Sequence, residues 1–341
     1  MIPFDQLFRG ALALLPVLLF LTGLWAVDSF KLVPRRAVLS TVAAGGASAV
    51  FCYALNTLIF RQFPAYEAEY ARFGAPIVEE LAKAAYWIFL IATARVAFMV
   101  DSAICGFAVG AGFALVENVL YLRALEDPSA AIWVLRGFGT AIMHGGVAAI
   151  AAIISAYLSE SRQWRGVVLY APGLLVAIAL HSIFNQGLIS PAASMIAAVA
   201  GLPMLLSLVF YFSERSLRNW LGGKMDQDID LITMIANPEF QQTRTGLYLT
   251  SLSNAFPPEV RGDMLSMLQL TTELSMRSKS DLLLREAGFE LPPDAGLAGL
   301  LKELQFLEKS IGPTGMLALR PLLAQTPRDL WEIHQLGKVQ R

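Results

Sequence analysis

The chain has 341 residues, of which 56 % are hydrophobic and 16 % charged, with a formal net charge of −1 and two cysteines. Its mean hydropathy of +0.56 is that of a membrane protein with a soluble part attached. The near-neutral charge and the lack of a long basic run argue against nucleic acid as a partner. Cys52 and Cys105 both fall in apolar runs, so they read as small buried residues rather than a disulfide framework or a zinc cage.

A bilayer is crossed by about 20 apolar residues in a helix. Runs of that kind recur over 10–27, 37–60, 74–94, 102–122, 131–158, 166–189 and 192–212, which predicts a multi-pass all-α bundle of about seven spans. The first run is short and ends in small residues, as a signal peptide does. However, Asp5 precedes it and no clean small-x-small site stands before Lys31, Arg35 and Arg36, which favours an uncleaved helix. Charged side chains become denser after Ser213, so the domain boundary is placed there: residues 1–212 in the membrane and 213–341 as a helical accessory domain.

Loop charges set the orientation. With the N-terminus outside, Lys31, Arg35, Arg36, Arg95, Arg162, Arg165, Arg215, Arg218 and Lys224 fall on the cytoplasmic side. The other side keeps Arg9, Arg61, Arg72, Arg123 and Arg136, so the C-terminal part is expected in the cytoplasm. From Met225 onward, apolar residues recur at helical spacing, interrupted at Pro257-Pro258, Pro292-Pro293 and Gly312-Pro313. No repeat, phosphate-binding loop or metal-ligand spacing stands out in this part, and His334 reads as a surface or packing residue.

The run over 74–94 is unusual because it carries Glu79, Glu80 and Lys83. A charged side chain at bilayer depth costs roughly 2.5–3.5 kcal/mol on insertion scales, so these groups need partners or a wet cavity. Glu79 and Lys83 are four residues apart and share a helix face, while Glu80 points about 100° away. One lysine thus need not neutralise both acids. The structural alternative is a buried ion pair that only locks helix packing.

Further polar residues occupy the later runs. Phe113, Glu117 and Tyr121 share a face, with Asn118 beside Glu117, and Gly106, Gly110 and Gly112 allow a neighbouring backbone to approach. Met143-His144 follows in the fifth run, and His181 and Asn185 share a face in the sixth. A lone membrane histidine also serves as an interhelical hydrogen-bonding residue. In the N-out topology Glu79, Glu80, Glu117, His144, His181 and Asn185 fall in one layer, about 8–9 Å below the outer surface for the glutamates of the third run. Carboxylates, imidazoles and an amide sheltered in apolar protein supply the parts for hydrolysis: an acid as base on water, and donors for an oxyanion.

The ordered set Glu79-Glu80-x-x-Lys83, Phe113-x-x-x-Glu117-Asn118, Met143-His144 and His181-x-x-x-Asn185 resembles the PrsW-type intramembrane proteases, distant relatives of the prenyl-protein CAAX-processing proteases. The resemblance covers about residues 70–190. It implies a multi-pass protease of the bacterial inner membrane that cuts a membrane-protein substrate near the outer face, as PrsW cuts an anti-sigma factor. It also implies Glu79 as the base, Glu80 and Lys83 as setters of its charge state, and His181 with Asn185 as oxyanion donors. Phe113, Asn118 and Tyr121 would support them. Glu117 stands where the CAAX relatives have histidine, which leaves a second base, a proton store and a metal ligand all open for it. The resemblance allows a zinc site built from Glu79, Glu117, His144 and His181, although a metal-free glutamate mechanism is the favoured reading. Outside proteolysis, buried Glu and His groups also serve proton-coupled transporters or channels, which would be expected to show inverted half-repeats. An inactive relative acting as a membrane-tethered scaffold is the third reading.

Overall fold

The computed structural model describes residues 4–125, 129–159, 166–289, 296–323, 328–329 and 331–332. Arg162, Arg165, Pro292, Pro293 and His334 lie outside them. Among the described residues every regular element is helical. The chain divides into two compact units, Met1–Glu214 and Arg215–Arg341.

Among the described residues six long α-helices carry the first unit and a seventh begins in it: α1 Phe4–Val27, α2 Arg35–Gln62, α3 Ala75–Ala92, α4 Met99–Ala124, α5 Ala141–Ser159, α6 Ala171–Gln186 and α7 Pro191–Ala236. Among the described residues six helical stretches are long and apolar enough to cross a membrane: α1, α2, α4, Ala130–Ser159 (which ends in α5), Gly166–Gln186 (which ends in α6) and α7. The remaining expected span, 74–94, corresponds to α3, an 18-residue helix in which Glu79, Glu80 and Lys83 lower the apolarity. The expected fifth span is not one regular helix. Ala130–Val134 leads into a π-helical turn, Leu135–Thr140, and only then into α5. A second π-helical turn, Tyr70–Gly74, leads into α3. Such wide turns are often found at functional sites.

Local chemistry sets the helix ends. Pro76 and Pro172 stand in the first turns of α3 and α6, where a missing N–H costs nothing. Gly187, at φ +64°, closes α6 in the left-handed conformation that glycine tolerates. The buried Asp101 carboxylate accepts from the N–H groups of Ala97 (3.0 Å) and Phe98 (2.8 Å), tying down the start of α4.

α4 is the centre of the unit and packs on α1, α2 and α5. Its glycines make the contacts close. A Cβ on Gly110 would run into the carbonyl of His144 on α5, and one on Gly112 into the carbonyl of Val42 on α2. Close approach of backbones through small residues is how membrane helices gain dispersion contact without a hydrophobic driving force.

In the second unit α7 is followed by α8 Arg244–Ser251, α9 Pro258–Glu286 and α10 Leu297–Leu319, the last bent at Gly312 (φ 69°) ahead of Pro313. Met264, Leu268, Leu274, Leu307, Ile311 and Leu319 form its apolar core. The expected boundary at 212/213 lies inside α7. Residues 213–221 contain neither glycine nor proline, so nothing there stops a helix.

Candidate functional site

α3 positions three ionisable groups, and its register decides which of them pair. Lys83 and Glu80 are both buried and form an ion pair across three residues. The Lys83 ammonium also lies 3.1 Å from His144 Nδ1 and 4.8 Å from the Phe113 ring centre. The shared face expected for Glu79 and Lys83 therefore does not become a pairing: the lysine turns to Glu80. Glu79 faces elsewhere, accepting from Asn56 Nδ2 through Oε1 at 3.3 Å and placing Oε2 3.8 Å from His181 Nε2.

The two histidines meet edge to face, with ring centres 4.8 Å apart. His181 Nδ1 lies 2.8 Å from Glu80 Oε1, so the carboxylate holds that nitrogen and Nε2 is left facing Glu79. His144 is 1 % exposed, and its Nε2 lies 3.2 Å from Glu117 Oε2. That pair is close enough for charge attraction but out of line for a hydrogen bond, and both atoms are buried without an aligned partner. A buried imidazole nitrogen in that state calls for an explanation beyond packing.

Arg136 is the residue that sequence reasoning missed. Read as a loop charge, it lies instead in the π turn before α5, with Nη2 3.2 Å from Glu117 Oε2. Asn118 fixes it. That amide donates to the Ala13 carbonyl at 2.8 Å and accepts from Arg136 Nε at 2.9 Å, while the guanidinium stacks 3.6 Å from the Tyr121 ring centre. Asn118 and Tyr121 thus serve Glu117 through Arg136. Asn56 was missed too, although a polar amide inside the apolar run 37–60 was a visible signal.

The groups open on a pocket of about 660 Å³ lined by Asn56, Glu79, Phe113, Glu117, Arg136, His144 and His181, among others. Of the residues singled out from sequence, Glu79, Glu80, Lys83, Glu117, His144 and His181 come together, with Phe113 against Lys83. Asn185 lines the same pocket, but it is exposed and its amide donates to the Ala71 carbonyl at 3.0 Å. An oxyanion role for it would first require that bond to open.

Glu79, His144 and His181 each offer a ligand atom, and all three atoms lie within 4.8 Å of one another. Two imidazoles and a carboxylate are a donor set that zinc accepts while keeping a position open for water. Glu80 behind His181 is the carboxylate that commonly orients a metal-bound histidine. Glu117 is absent from this group, being drawn toward Arg136. One contact must change on binding. An ammonium can only donate, so Lys83 at His144 Nδ1 places the proton of a neutral imidazole on Nε2, and Nε2 is free to ligate only once Lys83 moves off. With that adjustment the residues fit zinc, and the preference for a metal-free site loses ground to its zinc-dependent alternative.

A family model described as PrsW family intramembrane metalloprotease matches residues 33–213. The match includes α2 to α6 and every residue of the site. Neither curated proteins nor solved structures yield a match.

Proposed function

The chain belongs to the PrsW family of intramembrane metalloproteases, and on that premise we propose that it cleaves membrane-protein substrates by zinc-assisted attack of water in the pocket over Glu79, His144 and His181. It is a multi-pass integral membrane protein and an intramembrane protease. The observation that carries the zinc reading is the convergence of those three ligand atoms within 4.8 Å at one pocket.

In this reading His144, His181 and Glu79 would hold the metal, the histidines through a ring nitrogen and Glu79 through a carboxylate oxygen. Zinc held there would lower the pKa of a water at its open position and polarise the scissile carbonyl. Glu80 keeps the proton of His181 on Nδ1, and Lys83 balances the Glu80 charge where both side chains are buried. Glu117 Oε2, held by Arg136, takes the proton of the attacking water and returns it to the departing amine. The excess of basic residues in the loops assigned to the cytoplasm supports an outward-facing site, substrate cleavage near the outer face and a cytoplasmic accessory part over 213–341. The bacterial inner membrane and an anti-sigma-type substrate follow from the same family resemblance.

One observation favours a second reading. The Lys83 contact to His144 Nδ1 suits a neutral imidazole that carries its proton on Nε2, facing Glu117 at 3.2 Å, and leaves Glu79 to act as a metal-free base. The test is cleavage of a panel of single-span membrane proteins by wild type, Glu79→Gln, Glu117→Gln and His181→Ala, with and without a strong chelator. Zinc-restorable loss in chelator is expected. Indifference to chelator, with all three variants inactive, would transfer the chemistry to a metal-free mechanism in which Glu79 is the base. An uncut panel combined with Glu79-dependent proton flux would replace proteolysis by transport.

A further inference from the structure

The carboxylate of Glu79 does not stand alone at the pocket. Asn56, on α2, donates through Nδ2 to Glu79 Oε1 at 3.3 Å, and its Oδ1 accepts from the Tyr70 hydroxyl at 2.7 Å. The orientation of the amide is settled by the carboxylate: a flipped Asn56 would set its oxygen against that of Glu79. A donor received on Oδ1 also polarises the amide and strengthens its N–H toward Glu79. With Oε1 engaged, Oε2 is the oxygen that faces His181 Nε2.

Tyr70 is itself fixed from several sides. It opens the π turn Tyr70–Gly74, and the Phe60 ring meets it edge-on with centres 5.4 Å apart. Its ring lies where a Cβ on residue 74 would be, so glycine is needed there. The next residue, Ala71, is held through its carbonyl by Asn185 of α6. The turn is thereby tied to α2 on one side and to α6 on the other, at the rim of the pocket.

We propose that Tyr70 and Asn56 are positioning residues for Glu79: a hydrogen-bonded relay from the π turn that orients one carboxylate oxygen and presents the other to the reaction. Asn185 acts in the same device by holding the turn. The inference rests on the reading of Glu79 as a reacting or metal-binding group. It predicts that loss of either relay member lowers turnover and metal affinity together, because groups that orient a ligand typically contribute about 10–100-fold.

The experiment uses the full chain in lipid bilayers. Tyr70→Phe removes one oxygen, Asn56→Leu removes the amide at similar volume, and Gly74→Ala displaces the Tyr70 ring without touching Glu79. Each is compared with wild type and Glu79→Gln for kcat and KM on a single-span substrate, and for zinc affinity of the metal-stripped protein by calorimetry. The expected result is a fall in kcat of about 10-fold for Tyr70→Phe and Gly74→Ala and up to about 100-fold for Asn56→Leu, with KM within about twofold and zinc affinity falling in the same order. An inactive Glu79→Gln beside Tyr70→Phe and Asn56→Leu that keep wild-type kcat and zinc affinity would overturn the relay. A change confined to KM would overturn it as well. If Glu79→Gln remains fully active, the reading of Glu79 fails and the relay falls with it. Should Asn56→Leu not fold, Tyr70→Phe decides, and should wild type bind no zinc, the kcat comparison decides.

Discussion

Among the described residues, each unit of the molecule buries one lysine completely, and the two make opposite use of it. Lys279 on α9 pairs with Asp228 at 2.6 Å and with Glu332 at 3.1 Å, and its ammonium also reaches the Ser275 hydroxyl and the Trp220 ring. Ser275 in turn lies 2.9 Å from an oxygen of each acid. The ion pairs of this ammonium stay within the group. Lys83 on α3 is equally buried, but its partners Glu80 and His144 pass the interaction outward, to His181, Glu117 and Glu79 around a pocket. Burial of a charge is thus a poor marker of chemistry, whereas donors left over at a cavity are a good one.

The comparison is tested most severely by removing each ammonium. Lys83→Met leaves the Glu80 carboxylate unpaired in the membrane unit and frees His144 and His181 to reorient, so cleavage per folded molecule should fall by at least about 100-fold. Lys279→Met strands two acids in the second unit, which should lose about 3–5 kcal/mol, read as faster hydrogen exchange over α9, while cleavage per folded molecule stays at the wild-type rate. A Lys83→Met protein that cleaves normally would put the two clusters in the same class.

The sequence made one of these clusters legible and hid the other, for a physical reason. Glu79, Glu80, Lys83 and Glu117 interrupt apolar runs, where any charge demands an explanation. Lys279 stands in a charged amphipathic region, where a buried and a solvated lysine look alike. Arg136 was read as marking a loop because the π turn that carries it inward has no sequence signature at this spacing. Asn185 shares a helix face with His181, yet it sits one turn further along the axis, about 5.4 Å, and meets the Ala71 carbonyl instead of the site. Helical periodicity assigns faces and leaves partners undetermined. The helical bundle itself was legible because apolar run length is a direct requirement of bilayer thickness.

Helix approach gives a milder way to sharpen the contrast. Gly110→Ala places a methyl group against the His144 carbonyl, and backbone cannot swing aside as a side-chain tip can. α5 must shift, carrying His144 with it. Turnover should fall by about 10-fold or more, since a misplacement of about 1 Å can cost up to about 100-fold. Gly299 on α10 has open space for a Cβ, so Gly299→Ala should leave both turnover and the exchange of α9 unchanged. Equal loss in the two variants would show that α4 glycines act through overall stability and not through His144.

A further effect, which leaves cleavage untouched, concerns proton linkage in the Lys279 cluster. Burial pushes the Glu332 carboxyl up from 4.5 to about 7, against the opposing pull of Lys279. A folded-state pKa above the unfolded one means that the folded unit binds the extra proton between these values. The associated stability is fully present below about pH 4.5 and is lost as the pH rises through about 7, an effect of at most about 3 kcal/mol at 1.36 kcal/mol per pK unit. Glu332→Gln keeps the shape, cannot ionise and leaves Lys279 its Asp228 partner. The variant should therefore flatten the dependence of α9 hydrogen exchange on pH between about 5 and 8, after correction for intrinsic exchange rates, and slow exchange most at the alkaline end. A variant that exchanges faster than wild type at pH 8 would mean that the ionised Glu332 stabilises the cluster by pairing with Lys279 more than its burial costs, reversing the sign argued here.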